Sequence, residues 1–364
     1  MAMAVVSLLA GMWAALLRLG WILPAGGVNL PAAHGPLMVS GFLGTLISLE
    51  RAVAIGERWA YAAPALTGVG ALALIAGVPG PAGPVLIVLG SLAFVLAFVP
   101  ILRRQAELFT VTMALGAVAW TVGNARWLEG APIPGIVFWW MGFLVLTIMG
   151  ERLELSRLRG PSRRATPAFA LTAALFLGGL MLSTYSPRAG LTLVGAGMLG
   201  FAAWLVLFDV ARRTMRLGGL PKFIAVNLMF GAFWLGLAGA MRIVFPVALD
   251  FFQYDAILHA VFLGFVFSMI FAHAPIIFPA VMGHALAFRR LYYLHVIALE
   301  LSLALRIGGD LLGSAPAWHW GGTLNVATLI MFLADTAYGI ACTQGVAAES
   351  QYAGRSEPAS TISR

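Results

Sequence analysis

Apolar runs of about 20 residues, the length that crosses a hydrocarbon core, recur along this 364-residue chain from one end to the other. Twelve are read, at about 3–23, 34–56, 61–79, 83–102, 108–128, 135–151, 166–186, 190–211, 223–246, 256–281, 290–308 and 318–344. The polar connections between them are too short to hold a soluble domain. Composition agrees: 61% of residues are hydrophobic and 10% charged, against roughly 25% charged in an average soluble domain. The predicted fold class is therefore an all-α integral membrane protein of about twelve transmembrane helices. A single polytopic domain is expected over 1–348, followed by a polar, Ser-rich tail over 349–364 that is read as disordered. The first run has no basic region before it and exceeds the ~7–15 residues of a signal peptide's apolar core, so it is read as a span.

The formal charge of +8 is a statement about topology, not about nucleic acid. Basic residues gather after even-numbered runs: Arg103 and Arg104; Arg152, Arg157, Arg159, Arg163 and Arg164; Arg212, Arg213, Arg216 and Lys222; Arg289 and Arg290. Connections after odd-numbered runs hold few, such as Arg126 and Arg188. The positive-inside rule then predicts a multi-pass protein of the cell inner membrane with both termini cytoplasmic. Cys342 is the single cysteine, which excludes disulfides, thiolate zinc sites, iron–sulfur clusters and covalent haem attachment within the chain.

An imidazole in hydrocarbon costs free energy unless something binds it. His34 opens the second run and His259 lies about one turn into the tenth, so both are expected near the outer membrane edge, with His319 at the start of the twelfth. Two imidazoles at matching depth point to a shared ligand, and haem is the ligand chosen. His273 lies fourteen residues below His259, returning to nearly the same helical face about 21 Å lower, subject to disturbance by Pro275 and Pro279. His295 in the eleventh run reaches a similar level, giving an inner pair, His273 and His295. His284 falls in the next loop and is read as a solvated or headgroup residue. For each embedded histidine the plainer explanation is a hydrogen bond to a neighbouring helix.

Buried charges also need partners. Glu50 with Arg51 and Glu151 with Arg152 are read as structural ion pairs. Glu300 lies near the midplane with no acid or base beside it, which suggests a proton relay or ion site. Arg242 and Arg306 are candidates to pair with haem propionates, since a guanidinium suits bidentate carboxylate binding.

The stretch His34 to Gly44, with its His-x-x-x-Met opening, resembles the second helix of the catalytic subunit of haem–copper oxidases. The stretch His259 to Gly283, closing on Phe278-Pro279 and Gly283, is similar to the tenth helix of that family. The resemblance implies an oxidase-subunit-I-like bundle with His34 and His259 as axial haem ligands. It also implies what is missing. The tenth helix of the family carries His-x-His, whereas Val261 stands two residues after His259; the sixth should carry a copper-ligand histidine near a tryptophan, and Trp139 and Trp140 are followed by none. The His-His pair of the next helix is also absent. A reduced histidine set on twelve spans more closely resembles the NnrS family, haem-associated membrane proteins linked to nitric oxide and denitrification stress. About 50 of the 364 residues carry the likeness.

The leading expectation is a non-covalent b-type haem in a redox-active membrane protein handling electrons or nitric oxide, with copper as an accessory possibility. It would exchange electrons with a redox partner protein or quinone and lack a complete oxygen-reducing centre. Met38, Tyr254 and Trp318 are its expected pocket neighbours, packing being the commoner explanation of each. One alternative is a proton-coupled transporter using Glu300, Asp335, Arg242 and Arg306. Another is a copper or zinc site without haem, built from His34, His259 and His319, with His273 and His295 as further metal-ligand candidates.

Overall fold

The computed structural model describes residues 1–24, 29–157, 163–245, 250–282 and 288–355, the side chains of 278–282 and 342–355 excepted. Among these residues there are helices and loops but no strand. Twelve principal helices follow one another: α1 (Ala2–Arg18), α2 (Leu30–Ile55), α3 (Ala62–Ile75), α4 (Ala82–Arg104), α5 (Leu108–Leu128) and α6 (Ile133–Arg157). The second half comprises α7 (Ala165–Ser183), α8 (Pro187–Phe208), α9 (Gly219–Val244), α10 (Phe251–Ile277), α11 (Arg290–Leu312) and α12 (Ala315–Ala341). Each expected apolar run falls on one of them. Ten are long and apolar enough to cross a membrane; α1, at 17 residues, and α3, at 14, are shorter. Their outer faces carry exposed Leu96, Leu171, Phe233 and Leu301, side chains that lipid accommodates and water does not. The apolar helices mark a multi-pass membrane protein.

The helix that contains α12 continues to Arg355, so the polar segment expected to be disordered from Glu349 is helical over 349–355, while 356–364 lie outside the described residues. The backbone of α10 stays helical through Pro275 to Met282. His284 and Gly283 lie outside the described residues, as does the Phe278-Pro279 side-chain pair.

Consecutive helices pack as neighbours along most of the chain, and α1 also meets α12, which closes the ring. Trp21 Nε1 donates to Thr323 Oγ1 at 2.9 Å across that closure. The most buried helices are α6 and α10. Trp120 of α5 stacks on Phe143 of α6, ring centroids 4.7 Å apart, at the centre of the apolar core.

Both helices that open with a key histidine contain a π-helical stretch, Leu37–Gly44 in α2 and Ala260–Phe267 in α10. A π stretch widens the turn and is common beside functional sites. The two stretches touch through Phe42 and Phe267, stacked at 6.0 Å. Each also meets a tryptophan seated over one of its glycines: the Trp120 ring occupies the space a Cβ on Gly44 would need, and Trp234 of α9 does the same at Gly264. Trp120 Nε1 donates to Ser40 Oγ at 3.0 Å, and Ser40 donates to Asn124 Oδ1 at 3.0 Å, which also accepts from Trp140 Nε1 at 2.9 Å. These bonds hold α2 against α5 and α6. A side chain on Gly264 must displace Trp234, so Gly264→Leu is expected to cost about 1–3 kcal/mol, the usual range for overpacking. Gly308→Leu, where nothing lies within 4 Å of the new Cβ, serves as the matched control. Thermal unfolding of both variants in detergent checks the difference.

Candidate functional site: a cavity between two histidines

Helices α1, α2, α6, α10, α11 and α12 line a cavity of about 370 Å³. Met38, Val137, Phe262, Leu263, Val326 and Leu329 make its walls largely apolar, and His34 and His259 both line it. Pro31 starts α2 and His34 follows within its first turns. Asp250 caps the start of α10, accepting from Gln253 N at 2.7 Å, and so sets where His259 falls on that helix.

The two imidazoles are held alike. His34 Nδ1 lies 2.9 Å from Gly11 O of α1, and His259 Nδ1 lies 2.9 Å from Asp255 O one turn earlier. A carbonyl oxygen can only accept, so each ring carries its proton on Nδ1 and keeps the Nε2 lone pair for a ligand. Metal-binding histidines are commonly oriented in this way through their second nitrogen. His259 is also 3.3 Å from Asp255 Oδ1, a carboxylate that His34 lacks.

Behind His259 stands a buried charge pair. Arg306 of α11 donates from Nε to Asp255 Oδ2 at 2.7 Å and from Nη2 to Oδ1 at 3.0 Å. Trp318 Nε1 of α12 adds a third bond to Oδ2 at 3.2 Å. Arg306 and Asp255 are 7% and 6% exposed, and both line the cavity, as does Arg18 of α1. Two guanidiniums thus face the space with one carboxylate between them. Met38, Tyr254 and Trp318, the expected neighbours, are all part of the wall.

Other expected residues lie elsewhere. Arg242 is not among the cavity residues: its Nη1 donates to Phe245 O at 2.7 Å and its guanidinium lies over Phe138. His319 turns toward the ring closure, with Nδ1 2.9 Å from Leu19 O and its ring beside Trp21 and Trp320. It is not on the cavity with His34 and His259, and among the described residues no group of three His, Cys, Asp or Glu is placed to hold a metal ion.

The inner histidines have separate partners. His273 Nε2 meets Arg152 Nη1 at 3.3 Å, whereas His295 Nδ1 meets Asp335 Oδ2 at 2.9 Å inside a ring of Phe223, Phe271, Tyr292 and Phe332. The π stretch lying between His259 and His273 breaks the shared face that a uniform α-helix would give them. The expected Glu50–Arg51 and Glu151–Arg152 pairs are replaced by pairs between helices. Arg51 binds Glu151 at 3.2 Å, and Arg152 forks onto Asp209 at 2.9 and 2.8 Å. Sequence neighbours on a helix point about 100° apart and do not face each other. Glu300 accepts from Trp234 Nε1 at 2.6 Å. Of the four groups of the transporter reading, Arg306 alone lines the cavity.

Sequence reasoning passed over Arg18, Asp255 and Asn325, all on the cavity. Asp255 had a signal, since it precedes His259 by four residues and must share its face. Arg18, a lone cation in the first apolar run, had another. Asn325 had none: it is one more polar residue on a long helix.

The fold and site define an all-helical, multi-pass membrane protein with a largely apolar, histidine-walled cavity near the start of α2 and α10. More particularly, the chain belongs to a family described as a domain of unknown function (DUF8744), whose model matches residues 1–340. No curated protein matches the chain, and neither does any solved structure.

Removing one member of a buried ion pair strands the other. Arg306→Met is therefore expected to destabilise the protein by about 3–5 kcal/mol. Arg157→Ala, which loses a half-exposed pair with Glu107, should cost less than about 1 kcal/mol. Unfolding of the two variants in detergent, followed by circular dichroism, separates these outcomes.

Proposed function

We propose that the cavity binds a b-type haem, with His34 and His259 as the iron ligands, in a redox-active membrane protein that handles electrons or nitric oxide. The observation that carries this reading is that two imidazoles from distant parts of the chain line one largely apolar cavity, each with Nδ1 bound to a carbonyl and Nε2 left for a metal. The donor set fits. A flat apolar macrocycle suits the aliphatic and aromatic walls, and Arg18 and Arg306 suit its carboxylates. Haem held there by His34 and His259 would supply reversible one-electron chemistry.

The residues of the chain would do the rest. Gly11 O and Asp255 O fix the tautomer and the ring plane of the two ligands. The Asp255 carboxylate lies 3.3 Å from His259 Nδ1 and steadies the ring, while Arg306 and Trp318 hold that carboxylate in place. This arrangement supports the resemblance to NnrS and to the oxidase subunit-I bundle, with twelve crossings and both termini cytoplasmic. The even-numbered helices, whose ends carry the basic clusters, favour that orientation.

The test is a reduced-minus-oxidised visible spectrum of purified, detergent-solubilised protein expressed with haem supplied, with haem counted as its pyridine haemochrome. Stoichiometric haem is expected in the wild type and in His319→Ala, and loss or severe change of the bands in His34→Ala and in His259→Ala. A colourless wild-type protein sinks the proposal.

A further inference from the structure

Asp310 lies one turn beyond Arg306 on α11. It is 4% exposed, and among the described residues neither of its carboxyl oxygens has a hydrogen-bond partner. Arg306, one turn earlier on the same helix face, binds Asp255 of α10, so the charged groups around Asp310 are Asp255, Asp250 at the start of that helix and Arg306 itself. Helix α12 presents Ala317 and the Trp318 backbone to the adjacent Gly309. Arg306 is committed to Asp255 through Nε and Nη2, and the Trp318 indole is committed to the same carboxylate. As an anion, Asp310 would set a second buried negative charge against Asp255 with nothing to stabilise it, an arrangement that low-dielectric surroundings penalise heavily.

One proton resolves both difficulties. We propose that Asp310 is a proton-binding site, holding an exchangeable proton that it donates to Asp255 in a carboxyl–carboxylate pair behind the cavity wall. Asp255 remains the charged member, because Arg306 and Trp318 bind it. On release the proton passes to solvent at the nearby end of α11, no other bond changes, and Asp310 gains one negative charge. The resulting repulsion falls on Asp255, the group that anchors Arg306 and sits against His259. Proton occupancy at Asp310 is thereby linked to the shape and charge of the cavity wall, whatever the cavity holds. The inference stands on Asp310 and its neighbours and does not depend on haem.

The experiment is infrared difference spectroscopy of the full-length detergent-solubilised protein between two pH values, in ordinary and heavy water. The wild type is expected to show a protonated-carboxyl C=O band that shifts on deuteration and titrates. Asp310→Asn should lose one carboxyl's share of that band and unfold at the wild-type temperature, since the amide N–H can donate to Asp255 as the acid does. Asp310→Glu should keep the band at a displaced position, which covers the case in which the asparagine variant fails to fold. A carboxyl region unchanged in both variants overturns the proposal. So does a band that responds at constant pH to exchange of sodium for potassium, which would make the site one for a metal cation.

Discussion

Charge taken into hydrocarbon must bring its partner with it, and the Arg306–Asp255 fork is where the architecture around the cavity depends on that rule. The fork joins α11 to α10, draws in α12 through Trp318, and backs the ring of His259. Three of the six cavity helices are thus located by one carboxylate. Among the described residues the opposite wall has no charge pair of this kind. There, α2 is located by neutral bonds, His34 to Gly11 O and Ser40 into the Trp120–Asn124–Trp140 group. The two histidines face the same space from supports of different chemistry, one polar and charged, the other neutral.

A second buried fork, Arg152 on Asp209, ties α6 to the end of α8, and His273 of α10 adds its Nε2. Asp209 also accepts from Ala211 N, which shapes the turn after α8. The central helices α6 and α10 are therefore clamped at the basic-rich end by one ion pair, while α10 is clamped at the cavity by the other.

Much of this was legible in the sequence, and the losses have identifiable causes. The apolar runs announced every helix, because backbone in lipid has no partner except itself and run length is a direct readout of crossing length. His34 and His259 were legible as a pair from depth alone. Which arginine joins them was not: Arg242 and Arg306 have similar depth, and only the azimuth of each helix puts one on the cavity and the other under Phe138. The acid–base partners on α2 and α6 were misassigned because adjacency in sequence was taken for adjacency in space. The π stretches have no simple sequence signature, yet they decide which face His273 presents.

The cavity draws its walls from both ends of the chain, α1 and α2 on one side and α10 to α12 on the other. Helix α1 meets α12 only after everything between them has been made, and Trp21 finds Thr323 only then. During synthesis the N-terminal half therefore waits in the bilayer with its histidine side open to lipid and to small molecules. The histidine cavity is thus completed last of all, when the final helices of the chain pack against the first.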